Sequence, residues 1–246
     1  MTQELERTLL LEGISNLRDV GGYQTIDGRL TRWRTLFRSG CVDRLSLAGQ
    51  EWLVEHAGLR TVIDLRQDDE ILSRPNVFAT SARVRYRHLP VFDGPPPDDE
   101  PMPLEVGYWR MLEQRHARMR AVFEELVQPG ALPALIHCYA GKDRTGMVVA
   151  LILAAVGVPH TTVAADYALS AACLGPEFVD ETRASLTERG WSWEKYGHLC
   201  GSPAELMLDV LAGLDSRYGG VASYLASIGV RPTDVEGLRE RLTEDP

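Results

Sequence analysis

Apolar and polar residues follow one another along the chain in a pattern typical of an α/β domain. Short strands are predicted around the Asp27-Gly28 pair, a dipeptide common in the turns of β-hairpins. Short apolar or alternating runs predict strands within 14–40, at 60–66, at 83–91 and at 133–137. Apolar spacing of three and four residues predicts helices at 46–56, 106–127 and 144–156, and near 161–173, 177–189, 203–216 and 232–244.

The order of these elements predicts one domain that spans residues 1–246, with further helices in its C-terminal part. The apolar run at 60–66 ends abruptly in charge, as a buried parallel strand does at its carboxyl end. Gly94 to Pro103 holds five prolines and three acids, which predicts an exposed loop. The sequence contains no internal repeat and no low-complexity linker that would mark a domain boundary.

Composition narrows the possible classes of function. The chain has 246 residues, of which 44% are apolar and 25% charged, values typical of a soluble globular protein. Its 35 acidic and 26 basic residues give a net charge of -9, which disfavours a general nucleic-acid partner. Neither composition nor charge predicts an oligomeric state.

The location of the protein is predicted from what the sequence contains. The first residues contain no basic region followed by an apolar stretch, as a secretory signal would. The longest apolar run, Met147 to Val158, is too short to span a bilayer. The four cysteines are widely spaced, without a C-x-x-C pair. We therefore expect reduced thiols, a cytoplasmic protein and no stable membrane insertion, with export by an unconventional route left open.

The segment from Ile136 to Gly146 carries the chemistry. It places Cys138 and Arg144 six positions apart, between a predicted strand and a predicted buried helix. Such a loop can curl round a tetrahedral oxyanion, with the backbone N–H groups of residues 139–144 pointing inward and the helix N-terminus adding positive charge. The same field favours the thiolate form of Cys138, and the guanidinium of Arg144 can hold two phosphoryl oxygens.

An ordinary buried cysteine beside a surface arginine is the alternative explanation, because a bare C-x5-R pattern arises by chance. The surrounding residues favour a phosphate site: His137 precedes the cysteine, Gly141 and Gly146 permit tight curvature, and Lys-Asp-Arg-Thr lies between them. Thr145 is placed to donate its hydroxyl to the Cys138 sulfur when that sulfur leaves. A Walker-type phosphate loop is excluded, since its G-x-x-x-x-G-K spacing is missing.

The loop 137–146 resembles the signature loop of the cysteine-dependent protein tyrosine phosphatases. Its residues are similar to those of a bacterial branch of that family. Further blocks resemble the same branch in the same order, so that the resemblance covers nearly the whole chain. They are Asn16 to Gly22, Leu36 to Gly40, Val62 to Arg66, Ala165 to Tyr167 and Gly219 to Leu225. The resemblance implies one α/β domain with a central, mostly parallel sheet flanked by helices.

The resemblance also implies a mechanism. Cys138 would attack phosphorus and form a phosphocysteine, Arg144 would clamp the transition state, and water would release phosphate without metal or other cofactor. The general acid is open among three aspartates. Asp64 comes first because it ends a strand within the Asp-Leu-Arg block. Asp143 lies in the loop itself, and the alternative to a catalytic role is that it orients Lys142 or the loop backbone. Asp93 is a further alternative, placed like the acid of a movable loop.

Other residues of the blocks receive supporting roles. Lys142 is expected to meet a second anionic group of the substrate, and a lysine at this position accompanies phosphoinositide activity in the resembling branch. Tyr139 is expected to pack and to contribute its N–H group. His137 is expected to bond backbone near the nucleophile. Ala140, Gly141 and Thr145 are also expected to bind substrate. Asn16, Arg18 and Asp19 are expected to support the loop from behind, and Arg18 is expected to neutralise Asp19.

The resembling branch can also carry a lid, for which residues 174–203 are the candidate and an ordinary surface helix pair the alternative. The loop and the resemblance together predict a protein tyrosine phosphatase, with dual specificity left open. A phosphoinositide phosphatase is the second enzyme hypothesis, and a phosphate-binding pseudophosphatase is the non-enzymatic one. The corresponding partners are a phosphotyrosine protein or a phosphoinositide.

Overall fold

A computed structural model describes residues 7–92 and 101–246. The strands are β1 (Arg18–Asp19), β2 (Leu30–Thr31), β3 (Leu36–Ser39), β4 (Thr61–Asp64), β5 (Arg85–His88), β6 (Ala134–His137) and β7 (Thr243–Glu244). The helices are α1 (Leu47–Glu55), α2 (Asp68–Ser73), α3 (Leu104–Gln114), α4 (His116–Leu126), α5 (Asp143–Ala155), α6 (His160–Glu188), α7 (Trp193–Tyr196), α8 (Ala204–Tyr218), α9 (Val221–Ser227) and α10 (Pro232–Leu242).

The main sheet has the strand order β1-β3-β6-β4-β5. The four strands β3, β6, β4 and β5 run parallel, and β1 pairs antiparallel with β3 at the edge. Every residue of β3, β4 and β6 is buried, as expected for strands covered on both faces. In register, His137 pairs with Ser39 on one side and with Asp64 on the other. The carboxyl ends of three central strands therefore meet at one edge.

Alternate residues of these strands face two different apolar layers. Leu36, Ile63 and Ile136 belong to the layer that contains the buried helix α5. Their sequence neighbours Phe37, Val62 and Leu135 face a second layer, which also contains residues of α1. The mixed α/β domain with helices on both sides of a mostly parallel sheet, expected from the resemblance, is confirmed.

Most predicted elements are present, but the helix predicted at 106–127 is two helices. The backbone of Arg115 leaves the helical region at φ −123° and ψ 32°, and α4 begins at the next residue. The apolar spacing continues through the break, so the pattern could not reveal it. Helix α3 packs against α8, whereas α4 packs against α10, and the bend lets each half reach its own neighbour.

Helix α6 combines the helices predicted near 161–173 and 177–189. Gly175 interrupts it with φ 70° and ψ −177°, and Pro176 follows. The short helices α7 and α9 and the strand β7, which pairs with β2, had no counterpart among the predicted elements. In the described segments no helix is long and apolar enough to cross a membrane. Asp93 and most of the predicted loop from Gly94 to Pro103 lie outside the described residues.

Candidate active site

The signature loop connects the end of β6 to the first turn of α5. Cys138 follows the last residue of the strand, and the helix begins at Asp143. No hydrogen bond found in the described part of the chain uses the backbone N–H group of Tyr139, Ala140, Gly141 or Lys142 as its donor. Unused N–H groups before a helix N-terminus are the arrangement that binds tetrahedral anions.

Gly141 gives the loop its curvature. Its φ is 68°, a left-handed conformation that glycine adopts without steric cost. A Cβ atom at this position would lie 2.2 Å from the carbonyl oxygen of Ser39, at the end of β3. Arg38 Nη2 donates to the carbonyl oxygen of Gly141 at 2.9 Å and fixes the turn from behind. The loop can take this course only with glycine at 141.

Arg144 is held by a carboxylate on the neighbouring helix α2. Its Nη2 donates to Glu70 Oε1 at 2.7 Å, and its Nη1 bonds Glu70 Oε2. The arginine side chain is 17% exposed. Burial alone would lower the pKa of Arg144, but the two hydrogen bonds that Arg144 donates to Glu70 outweigh burial and raise that pKa. The guanidinium is thus a fixed and permanently charged group beside Cys138.

The loop is supported from behind by a buried charge cluster around Asp166. This carboxylate of α6 pairs with Arg18 Nε at 3.1 Å and with Arg38 Nη1 at 2.5 Å. Burial disfavours its charged form, but Arg38 and Arg18 outweigh burial and lower the pKa of Asp166. Asn16 joins the cluster to the loop, since its Oδ1 accepts from Arg18 and its Nδ2 donates to the Ala140 carbonyl oxygen at 3.0 Å.

The expected pairing of Arg18 with Asp19 is wrong. Asp19 instead accepts hydrogen bonds from the backbone N–H groups of Gly21, at 2.8 Å, and of Arg34, at 2.7 Å. The reason lies in the strand geometry, because successive side chains of β1 point to opposite sides of the sheet. Asp19 therefore shapes the turn after β1, and Arg18 points to Asp166.

Asp64 sits in a second buried cluster. Its carboxylate accepts two bonds from Arg66, with Nε at 2.9 Å and Nη2 at 2.7 Å, and one from Asn76 Nδ2 at 3.0 Å. Burial would raise the pKa of Asp64, but His137 and Arg66 hold it well below its usual range. The Asp64 side chain is fully buried, so this geometry disfavours it as a proton donor to substrate.

His137 occupies the expected place behind the nucleophile. Its Nδ1 lies 3.1 Å from the carbonyl oxygen of Cys138, and its Nε2 lies 2.8 Å from Asn76 Nδ2. The ring therefore links the cysteine backbone to the cluster around Asp64 and holds the start of the loop.

Asp143, the third aspartate considered, reaches the site. Its side chain is 35% exposed, and its Oδ1 accepts from the hydroxyl of Tyr108 at 2.6 Å. Lys142 does not take the place expected of it: its side chain is only 2% exposed and its Nζ donates to the carbonyl oxygens of Leu199 and Gly201. The ammonium is turned toward protein backbone instead of toward a second substrate anion.

Two further loop residues take defined positions. Tyr139 is half-buried, and the guanidinium of Arg74 lies 4.8 Å from its ring centroid, a cation–π contact. Thr145 is buried, and its hydroxyl has no hydrogen-bond partner in the segments that the structure describes. The expected bond from Thr145 to the Cys138 sulfur is not formed in this structure.

A cavity of about 450 Å³ opens above the loop. Cys138, Asp143 and Arg144 line its base. Its opposite side is formed by the second half of α6 and the residue after that helix, which contribute Phe178, Glu181, Thr182, Ser185 and Arg189. The first part of the predicted lid segment 174–203 therefore borders the site. Among the described residues no group of three or more His, Cys, Asp or Glu side chains could hold a metal ion.

Three side chains that organise the site were not singled out from the sequence. Glu70 carries a weak signal, since an acid three residues after Gln67 marks a helix start with reciprocal capping bonds. Asp166 lay within a resembling block but had no assigned role. Tyr108 gave no signal, because it belongs to the apolar face of α3 and meets Asp143 only through the tertiary fold.

The fold and the loop define an anion cradle built round a cysteine and an arginine, at the carboxyl edge of a parallel sheet. The chain belongs to the tyrosine phosphatase family, whose model matches residues 9–244. The expected family membership is thereby confirmed.

The chain is also similar to individual proteins. The chain is 33% identical to a tyrosine-protein phosphatase of Nostoc commune, over 83% of this chain and 73% of the relative. It is 28% identical to the triple specificity protein phosphatase PtpB of Mycobacterium tuberculosis, over 93% of this chain and 96% of that protein. Among solved structures, the core catalytic domain of the PP-IP phosphatase SIW14 from S. cerevisiae matches 75% of this chain and 96% of its own, with 17% identity and a TM-score of 0.41.

Proposed function

We propose that this protein hydrolyses phosphotyrosine by way of a phosphocysteine intermediate on Cys138. The observation that carries the proposal is the juxtaposition of Cys138, Arg144 and the unused N–H groups of the loop at the base of one cavity. In the first step the thiolate attacks phosphorus, the S–P bond forms and the P–O bond to the tyrosine breaks. In the second step water attacks the phosphorus of the phosphocysteine, the S–P bond breaks and the sulfur leaves as thiolate. Inorganic phosphate is released, and a proton of the water returns to the carboxylate that protonated the tyrosyl oxygen.

Arg144 and the loop stabilise the charge that develops on the phosphoryl oxygens. The guanidinium presents N–H groups in a planar fork that matches two such oxygens, and the loop N–H groups match the others. Glu70 keeps the fork in place before substrate arrives, so the site spends little free energy on ordering it.

Asp143 is the general acid of the proposed mechanism. A tyrosyl oxygen leaves slowly unless it receives a proton as the bond to phosphorus breaks. Asp143 lines the cavity beside Cys138 and is partly exposed, whereas Asp64 is fully buried and bound to Arg66. Position and exposure therefore favour Asp143 for this role.

Phosphotyrosine protein is the substrate class that the name of the family and that of the Nostoc commune relative support, and the name of PtpB supports a protein phosphatase. A phosphoinositide is the alternative, and it requires that the ammonium of Lys142 be available to a second anionic group of the substrate. That ammonium is bound to backbone carbonyl oxygens, so the structure gives the lipid no additional support. A pseudophosphatase is disfavoured because Cys138 and Arg144 both lie at the base of the cavity.

The reaction needs a reduced nucleophile, and all four cysteines are free thiols. A reducing compartment such as the cytoplasm is therefore the setting we propose for it.

The test is hydrolysis of a phosphotyrosine peptide and of a phosphoinositide by the wild type and by Cys138→Ser, each with and without a chelator. We expect the wild type to favour the peptide, the variant to lose activity on both substrates, and the chelator to have no effect. Cys173→Ser is the matched control, since it changes another free thiol that does not line the cavity. Activity that survives in Cys138→Ser, or that the chelator abolishes, would contradict the proposal.

A further inference from the structure

The ammonium of Lys142 is surrounded by oxygen atoms of the protein. It donates hydrogen bonds to the carbonyl oxygens of Leu199 and Gly201, at 2.6 and 2.8 Å. It also forms an ion pair with Asp143, whose Oδ1 lies 3.1 Å from its Nζ. The side chain is only 2% exposed, so these protein atoms, and not solvent, surround the charge.

The same oxygen of Asp143 also accepts a hydrogen bond. Tyr108 is buried in α3 and donates its hydroxyl to Asp143 Oδ1 at 2.6 Å, and that hydroxyl also lies 2.6 Å from the hydroxyl of Tyr167 on α6. Burial, with the nearby Asp143 carboxylate, raises the pKa of Tyr108 well above its ordinary value, so it remains a phenol. Oδ1 is thus held by an ion pair with Lys142 and by a hydrogen bond from Tyr108.

We propose that Lys142 is a positioning residue for the acid step: with Tyr108 it fixes Oδ1 of Asp143, and it ties the backbone at 199–201 to the signature loop. The ammonium and the phenol orient the carboxyl group so that Oδ2 delivers its proton to the leaving oxygen. Lys142 is therefore no subsite for a second substrate anion. This inference rests on the proposed function, because it takes Asp143 as the general acid.

Several charged and titratable groups surround Asp143. Lys142 and Arg144 lie beside it in the chain, Tyr108 reaches it from α3, and Tyr167 reaches it from α6 through Tyr108. Cys138 lies at the base of the same cavity. Removal of Lys142 takes away the ion pair at Oδ1 and leaves the hydrogen bond from Tyr108 in place.

The test compares two substrates in Lys142→Met, which keeps the length of the side chain and removes the ammonium. Phenyl phosphate has a poor leaving group that needs a proton, whereas 2,4-dinitrophenyl phosphate has a good one that does not. We expect kcat to fall about tenfold for phenyl phosphate and to change less than about twofold for the dinitrophenyl ester, with KM unchanged for both. An equal loss on the two substrates would overturn the inference.

A subsite role has a different signature. If Lys142 bound a second substrate anion, Lys142→Met would raise KM for a short-chain phosphoinositide with two ring phosphates and leave KM unchanged for one with a single ring phosphate. That result, with leaving-group dependence as in the wild type, would also overturn the inference. Lys195→Met is the matched control, because it removes the ammonium of an exposed lysine of α7.

Asp143→Asn distinguishes a failure of the proposed acid from a failure of the positioning role. If Asp143→Asn slows both esters equally, the proposed acid is wrong and the positioning role falls with it. If Asp143→Asn slows phenyl phosphate alone and Lys142→Met has no such selectivity, the positioning role alone is wrong. Should Lys142→Met fail to fold by circular dichroism, Tyr108→Phe removes instead the hydrogen bond to Oδ1. Tyr108→Phe should give the same selective loss, and its absence there would count against the inference.

Discussion

The guanidinium of Arg144, in the signature loop and its helix, donates two hydrogen bonds to the carboxylate of Glu70 on α2. Glu70 also accepts the backbone N–H of Gln67 at 2.8 Å, so the carboxylate is itself anchored to the start of α2. Burial opposes its ionisation, but Arg144 outweighs burial and lowers the pKa of Glu70. Helix α2 thus sets the direction in which the phosphate-binding arginine points.

Glu70→Gln should lower kcat/KM on a phosphotyrosine peptide about tenfold, because the arginine loses one charged contact that orients it. Steady-state kinetics measures this loss. Asp69→Asn is the matched control, since Asp69 is an exposed acid of the same helix. A loss of the same size in Asp69→Asn would mean that the charge of α2, and not the contact to Arg144, is responsible.

Asp143→Asn should remove the decline of kcat at high pH on a phosphotyrosine peptide. A general acid works only in its protonated form, so the step that it assists slows as pH rises. The asparagine variant has no such proton, and its kcat should be low and flat across that range. A variant that keeps the wild-type decline would show that another group supplies the proton.

Gly141→Ala should abolish activity, with a loss of about 100-fold or more. The added Cβ would lie 2.2 Å from the Ser39 carbonyl oxygen, at a φ that favours glycine, so the loop must move away from its anion-binding course. Binding of phosphate, followed by isothermal calorimetry, should be lost together with turnover. Gly237→Ala on α10 is the control, since a Cβ there meets nothing within 4 Å. Retained phosphate binding in Gly141→Ala would contradict the role of the turn.

Asp166→Asn should destabilise the protein by about 3–5 kcal/mol, because it leaves two buried arginines without a full counter-charge. Urea unfolding at neutral pH measures the change in the free energy of unfolding. Asp209→Asn removes an exposed acid of α8 and should change that free energy little. Equal effects of the two substitutions would show that the buried cluster contributes nothing special to stability.

Stability should also depend on pH in a defined direction. The pKa values of Asp64 and Asp166 are lowered in the folded state by their arginine partners and, for Asp64, by His137. Each carboxylate therefore stabilises the fold in full above its unfolded pKa, about 3.9, and loses that contribution as pH falls through the lower folded value. Urea unfolding should show no loss from these groups between pH 7 and 5 and a steep loss below about pH 4. A free energy of unfolding that stays constant down to pH 2 would contradict this.

The sequence predicts this site best where the chemistry is local. Cys138, Gly141 and Arg144 lie within one short loop, so their spacing alone indicates an anion cradle. The strands β4 and β6 are equally clear, because short runs of buried apolar residues end in chemistry-bearing residues at the carboxyl edge. Burial on both faces leaves such runs few other interpretations.

Contacts between distant segments were harder to predict. Arg18 meets Asp166 across 148 positions and Lys142 meets Leu199 across 57, and neither pairing follows a local period. A charged residue next to an opposite charge in the sequence suggests a pair, and on this basis the sequence predicts that Arg18 neutralises Asp19. On a strand, however, neighbouring side chains point to opposite faces, and the partner comes from another element.

The most direct test of the central claim is to trap the intermediate. Wild-type protein is mixed with a phosphotyrosine peptide, quenched within milliseconds and examined by peptide mass spectrometry. We predict a phosphoryl group on the peptide that contains Cys138, absent from Cys138→Ser and lost from the wild type as turnover is completed. Turnover of substrate without phosphate on that cysteine, or a phosphoryl group on any other residue, would contradict the mechanism.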